Sequence, residues 1–153
     1  MAQLETQHFD PRSPDDSDRA FLATLSARPE VGRFIGVVTQ APKPPSAHIF
    51  VIVKDEVRVG VVALVRSDAL DGSDFEIVCA LDPSAEGQGT ATEACRRMSR
   101  WGFETLGLPR IIACVANQNS PALKLVRRLG MTELSSRPGR DETVFVVSRD
   151  RAV

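Results

Sequence analysis

Gly87 and Gly89 stand in the run Glu86-Gly87-Gln88-Gly89-Thr90-Ala91-Thr92, between a strand-like and a helix-like segment. Glycine lets the backbone turn tightly with its N–H groups exposed. A helix start adds unpaired donors and the positive end of a dipole. A glycine turn opening a helix is therefore a cradle for an anion, phosphate above all. The segment before it, Asp74–Leu81, is rich in Phe, Ile, Val and Leu and reads as a strand. After it, Ala91, Ala94, Cys95, Met98, Trp101 and Leu106 recur at helical spacing.

The loop is not a Walker A loop, which needs Gly-Lys-Ser or Gly-Lys-Thr. It comes close to the dinucleotide fingerprint Gly-x-Gly-x-x-Gly, but that motif follows the first strand of a parallel βαβ unit. Here the turn lies past mid-chain, after segments joined by short links that imply antiparallel pairing. Dinucleotide binding is thus the weaker alternative. A plain strand-to-helix turn is the structural one.

The elements that must position this loop follow from periodicity and punctuation. Residues 4–9 read as a first strand, and Ser13-Pro14-Asp15-Asp16 as a helix start with Ser13 as N-cap. Residues 30–36 read as a short helix or turn, and the proline-rich residues 40–46 as a loop. Residues 48–54 and 57–66 read as strands around a tight Asp55-Glu56 turn that lacks the favoured glycine. Beyond the long helix, residues 110–115 read as a buried strand. Ser120-Pro121 reads as a second N-cap and first-position proline, opening a helix stopped by Gly130. Residues 131–134 and 142–148 are the last two expected strands, joined by a polar loop over 135–141.

The 153 residues suit one domain with a substantial core. A net charge of -1 points to neither nucleic acid nor a membrane surface as partner. No apolar run approaches the ~18 residues of a spanning helix, and the polar, acidic residues 1–14 do not read as a signal peptide. Cys79, Cys95 and Cys114 lack Cys-x-x-Cys spacing, and the two histidines, His8 and His48, lie far apart. Neither a disulfide framework nor a metal site is expected, and a reducing cytoplasm is.

The stretches 76–83, 86–94 and 103–111, then Asn119-Ser120-Pro121-Ala122 and Leu129-Gly130-Met131, resemble the GNAT acyltransferase superfamily in order and spacing. Within it they are most similar to the ribosomal-protein N-acetyltransferase-like branch. The resemblance implies a single α/β (α+β) domain over residues 1–153, with a mixed, mostly antiparallel central sheet. Helices should cover both faces, and the fourth and fifth strands should splay apart. It further implies that acetyl-CoA enters the splay as co-substrate, without a metal, and meets an amine acceptor; a homodimer is possible in this family. The pantetheine arm would pair with Cys79, Ala80 and Leu81. Gly87, Gln88, Gly89, Thr90, Ala91 and Thr92 would underlie the pyrophosphate, with Asn119, Ala122 and Lys124 nearby. The acceptor pocket would draw on residues 30–34 and 135–141. One departure is Glu86, where the family loop usually has Arg or Gln. It is expected to face solvent, offset by Arg96, Arg97 and Lys124.

Acyl transfer to an amine needs a proton acceptor, an oxyanion site and a leaving thiolate. Glu76 matches an acidic position of the branch and reads equally as a base through water or as a structural edge acid. Asn119 matches a family Asn that holds pantetheine or a site water, yet an N-cap Asn needs no ligand. The family's general acid is a Tyr; its position falls on Val126, and the chain contains no tyrosine. Cys79 lies where the thioester is expected, but a strand cysteine is more often a small hydrophobe. Two functions follow: an acyl-CoA-dependent N-acyltransferase, or a non-catalytic acyl-CoA-binding module on the same fold.

Overall fold

A computed structural model describes residues 10–12, 15–26, 47–137 and 139–151. The expectations for residues 4–9, 30–36 and 40–46 lie outside these. Strands β1 (Asp10–Arg12), β2 (Ala47–Lys54), β3 (Val57–Ser67), β4 (Asp74–Leu81), β5 (Arg110–Ala116), β6 (Thr132–Arg137) and β7 (Glu142–Ser148) form one sheet in the order β1-β2-β3-β4-β5-β7-β6. Every neighbouring pair is antiparallel except β4–β5, which is parallel and held by a single residue pair, Glu76 opposite Ile112.

Helices α2 (Thr90–Glu104) and α3 (Ser120–Arg128) bury one face of the sheet. Ile77 and Leu81 of β4 point that way, with Ile111, Ala113 and Val115 of β5, against Ala94, Cys95, Met98 and Val126. The opposite face carries Val51, Val61 and Ala80 under Leu25 of α1 (Arg19–Ser26). The two-residue alternation of strand side chains therefore sorts β4 cleanly, odd residues toward α2 and even residues toward α1. The mixed sheet with helices on both faces agrees with the expected fold.

Local chemistry moves several boundaries. The expected N-cap Ser13 lies outside the described residues; the N-cap within them is Asp15, which accepts Ser17 N–H, while Asp18 reaches back to Asp15 N–H at 2.8 Å, completing a capping box. Asp18 is fully buried and also takes Arg58 Nε at 2.7 Å, which fastens this turn to β3. The second N-cap is Asn119, not Ser120. Asn119 N–H bonds back to Ala116 C=O as the chain leaves β5, and its side chain accepts Ala122 N–H at 3.2 Å. Strand β6 runs on to Arg137, so residues 135–137 pair with β7 instead of forming loop. Asp55 and Glu56 both have positive φ, 52° and 65°, the turn conformation that matches strand twist even without glycine.

Candidate active site

Beyond the Glu76–Ile112 pair, β4 and β5 part, and a cavity of about 1020 Å³ opens between them. This lies at the upper end of small-molecule sites, about 300–1,000 Å³. Its lining comes from both faces of the sheet: Cys79, Cys95 and Val126 from the α2–α3 side, Glu76, Cys114 and Glu142 from the other. The cavity thus passes through the sheet.

Inside this gap β4 has no strand neighbour on its β5 side beyond the Glu76–Ile112 pair. Asp82 N–H donates to Val59 C=O of β3 at 2.7 Å. Backbone groups alternate along a strand, so the N–H groups of Leu81, Cys79 and Ile77 point away from β3, toward the gap. With Glu76 opposite Ile112, Ile77 can still meet β5, whereas Cys79 and Leu81 lie past the last pair. An extended ligand with amide groups can complete this edge as an added strand.

At one mouth of the gap the chain turns through Gly87 and Gly89, each with φ 79°. Gly89 is the N-cap of α2, and no side chain caps that helix start. The first N–H groups of the 15-residue helix therefore face the cavity beside Thr90, Ala91 and Thr92. A Cβ placed on Gly87 or Gly89 meets no atom within 4 Å, so the loop is open to a large anion. Lys124 and Arg128 of α3 line the same cavity. Glu86 is exposed, as expected, but its position is at the cavity lining.

Of the residues singled out in the sequence, Glu76, Cys79, Ala80, Leu81, Gly87, Gly89, Thr90, Ala91, Thr92, Asn119, Ala122 and Lys124 all line the cavity. Gln88 does not: its side chain accepts Lys54 Nζ at 3.2 Å and donates to Ser84 C=O at 3.3 Å. That contact brings a lysine to the glycine loop which no local motif reveals, because Lys54 is 34 residues away in sequence.

The catalytic candidates sit deeper. Burial pushes the Glu76 carboxyl above the ordinary range, opposed by hydrogen bonds from Cys114 and Ser67 and reinforced by the nearby Glu142 charge. Glu142 is buried and held by Arg137 at 3.3 Å, which also approaches Asp68 at 3.9 Å. The Cys114 thiol is pushed up to about 12 by burial and by Glu76, so it stays protonated. Cys95 is raised too, first by its hydrogen bond with the Cys79 thiol and then by burial. Val126 is buried in the cavity wall. His48 is far from this chemistry: it stacks edge-on against Trp101 at 5.3 Å, and burial lowers its pKa.

Among the described residues no group of three or more His, Cys, Asp or Glu can hold a metal. No helix of the described residues is long and apolar enough to cross a membrane. The sequence reading did not find Ser67, Cys114 and Glu142, which lie on three other strands and are joined to Glu76 only by sheet pairing.

Comparison with known proteins agrees with this geometry. Residues 5–132 match the acetyltransferase (GNAT) domain family. The spermidine N(1)-acetyltransferase of Escherichia coli is 30% identical over 88 residues, 57% of this chain and 46% of that protein. The human alpha/beta-tubulin-N-acetyltransferase 9 is 31% identical over 140 residues, 89% of this chain and 65% of that protein. The chain therefore spans about half to two thirds of these relatives. The Vibrio cholerae spermidine N-acetyltransferase solved with CoA and spermine superposes with a TM-score of 0.74 at 18% identity, over 95% of this chain and 98% of that one. An open parallel seam, an uncapped helix behind a glycine turn and the family match over most of the sequence lead to one assignment: this chain belongs to the acetyltransferase (GNAT) domain family.

Proposed function

We propose that this chain is an acetyl-CoA-dependent N-acetyltransferase that acetylates a primary amine by direct attack, its 153 residues acting as one catalytic domain. The observation that carries this reading is the continuous path from the uncapped start of α2, along the gap-facing edge of β4, to the buried carboxyl of Glu76. The residues suit the co-substrate. Helix N–H groups and the glycine turn meet the pyrophosphate, and the gap-facing backbone of Cys79 and Leu81 meets pantetheine.

The co-substrate supplies an activated acetyl thioester. Glu76 accepts the proton that the attacking ammonium must lose, directly or through one water. A free backbone N–H of β4 donates to the oxyanion as the carbonyl becomes tetrahedral. The C–S bond then breaks, and the thiolate takes a proton from water or from the ammonium formed by attack. No side chain is needed for that last step, because a thiol with pKa near ~8.5 leaves readily. Val126 accordingly occupies the place of a general acid without forbidding the reaction.

An amine nitrogen as acceptor is supported by the relatives, one named for spermidine and one for tubulin, and by the neighbour solved with CoA and spermine. The ribosomal-protein branch, whose acceptor is a protein N-terminus, belongs to the same reading. So do a cytoplasmic location and a homodimer. The alternative is a non-catalytic acyl-CoA-binding module, favoured by the missing Tyr and by Glu86 at the cavity.

A CoA-release assay with acetyl-CoA over spermidine, spermine, small amines and peptide N-termini separates the two. Product of acetyl mass on an amine supports transfer. Tight CoA binding with no turnover of any acceptor favours the binding module. NAD is expected to bind far more weakly than CoA, and equal affinity would reverse the choice of ligand.

A further inference from the structure

One face of α2 gathers charges of the same sign. Arg96 and Arg100 are four residues apart and so are neighbours on that face, where like charges destabilise a helix. A third guanidinium, Arg149, arrives directly after β7. All three line a second cavity, of about 190 Å³, whose apolar wall is Phe103, Leu129 and Val147. Among the described residues it shares only Leu129 with the cavity between β4 and β5. We propose that this second cavity binds a small organic monocarboxylate, with the carboxylate on the arginines and the hydrocarbon body on the apolar wall.

Two of the arginines are already held in place. Arg149 donates from Nε to Leu108 C=O at 3.1 Å and from Nη2 to the carbonyls of Leu108 and Gly107, just past the end of α2. Arg96 Nη2 donates to Arg128 C=O at 3.0 Å, at the end of α3. A cation is favoured at a helix C-terminal end, and a planar guanidinium fixed there needs little further ordering to receive a carboxylate. Each also keeps donors in reserve. Of the five N–H bonds of a guanidinium, those on Arg149 Nη1 and on Arg96 Nε and Nη1 have no partner among the described residues.

The class of ligand follows from the rest of the lining. Phe103 and Val147 are buried and Leu129 is half-buried, so this wall favours a hydrocarbon body over a bare inorganic ion. Glu104, exposed at the same cavity, opposes a second negative charge on the ligand. The volume is below the ~300 Å³ of ordinary small-molecule sites, which limits the body to one ring or a short branched chain and leaves no room for a nucleotide. Arg96 and Arg149 are exposed, so water competes for each contact and the contrast between charged and neutral ligands should be modest.

Benzoate is the probe. The Nε–H signals of Arg96 and Arg149, assigned through Arg96→Lys and Arg149→Lys, are followed by nitrogen-15 NMR during titration with benzoate, benzamide and inorganic phosphate. Benzoate should shift both signals saturably. Benzamide, which keeps the ring without the charge, should bind about 3- to 10-fold more weakly, and phosphate, which lacks the ring, should also bind more weakly than benzoate. Glu104→Gln removes the acid of the lining and should tighten benzoate by about 1.5- to 5-fold, a gain that a folding defect does not mimic. Saturating acetyl-CoA should leave the titration in place, because the two cavities have one wall residue in common. No saturable shift, benzamide or phosphate binding as tightly as benzoate, no gain in Glu104→Gln, or displacement by acetyl-CoA each overturns the proposal. None of these readouts uses turnover, so the result is independent of the N-acetyltransferase reading.

Discussion

Replacing Gly89 by alanine isolates what the glycine loop does. Gly89 and Gly130 have nearly the same backbone, φ 79° and 78°, and a Cβ on either meets nothing within 4 Å. Gly89 opens α2 at the cavity, whereas Gly130 follows α3 and does not line it. A left-handed Cβ costs about 1–2 kcal/mol, so both variants should lose about that much stability. In a domain of this size that is roughly a 2–8 °C fall in Tm. Only at Gly89 does the new methyl stand where an anion would approach the helix start. Loss of one charge-assisted hydrogen bond, about 1.5–3 kcal/mol, weakens binding roughly 10- to 150-fold. Calorimetry with acetyl-CoA and thermal melts of both variants measure the two effects separately. If folded Gly89→Ala binds acetyl-CoA like wild type, or if Gly130→Ala weakens it equally, the helix start is not the pyrophosphate site.

Glu76→Gln should lower kcat by about 10²–10⁴ and leave acetyl-CoA affinity nearly intact. Because burial raises the Glu76 pKa and a base works only when deprotonated, the wild-type rate should rise with pH above the usual Glu range; a wild-type rate and profile in the variant would reduce Glu76 to a structural acid. Cys79→Ala should keep its turnover, because Cys79 packs against the core as a small hydrophobe; a trapped acyl-cysteine in wild type, with an inactive folded variant, would refute direct transfer. Gly60→Ala should cost about 1–3 kcal/mol by overpacking and weaken acetyl-CoA as well, since its Cβ runs into the Ala80 carbonyl and lies 2.7 Å from Leu81 Cδ2. Normal affinity measured by calorimetry would show that the end of β4 tolerates displacement.

The sequence made the second half of this protein legible because its signals are local. Asp74–Leu81 and Glu142–Ser148 carry strand-length apolar patterns, and α2 carries a long helical one behind two glycines. The cap of α3 falls one residue earlier than Ser120, where two polar side chains compete. Asn119 takes the cap from Ser120 through a turn bond to Ala116 and the Ala122 N–H it accepts. Ser135 to Arg137 read as loop because the pattern there is polar, yet an edge strand needs only one pairing partner, and β7 supplies it. The cavity itself was foreseen from the resemblance alone. The environment of Glu76 was not, since Ser67, Cys114 and Glu142 reach it across four strands and no spacing in the chain encodes that meeting.

The single residue pair joining β4 to β5 makes the sheet mechanically two leaves, four strands on one side and three on the other. A ligand lying along the gap acts as a staple between them. Occupancy should then be felt far from the ligand itself, as slower amide exchange on both sides of the seam. The leaves can also part slightly without breaking any ladder but the shortest one, which gives acetyl-CoA a way in and CoA a way out while the rest of the sheet stays closed.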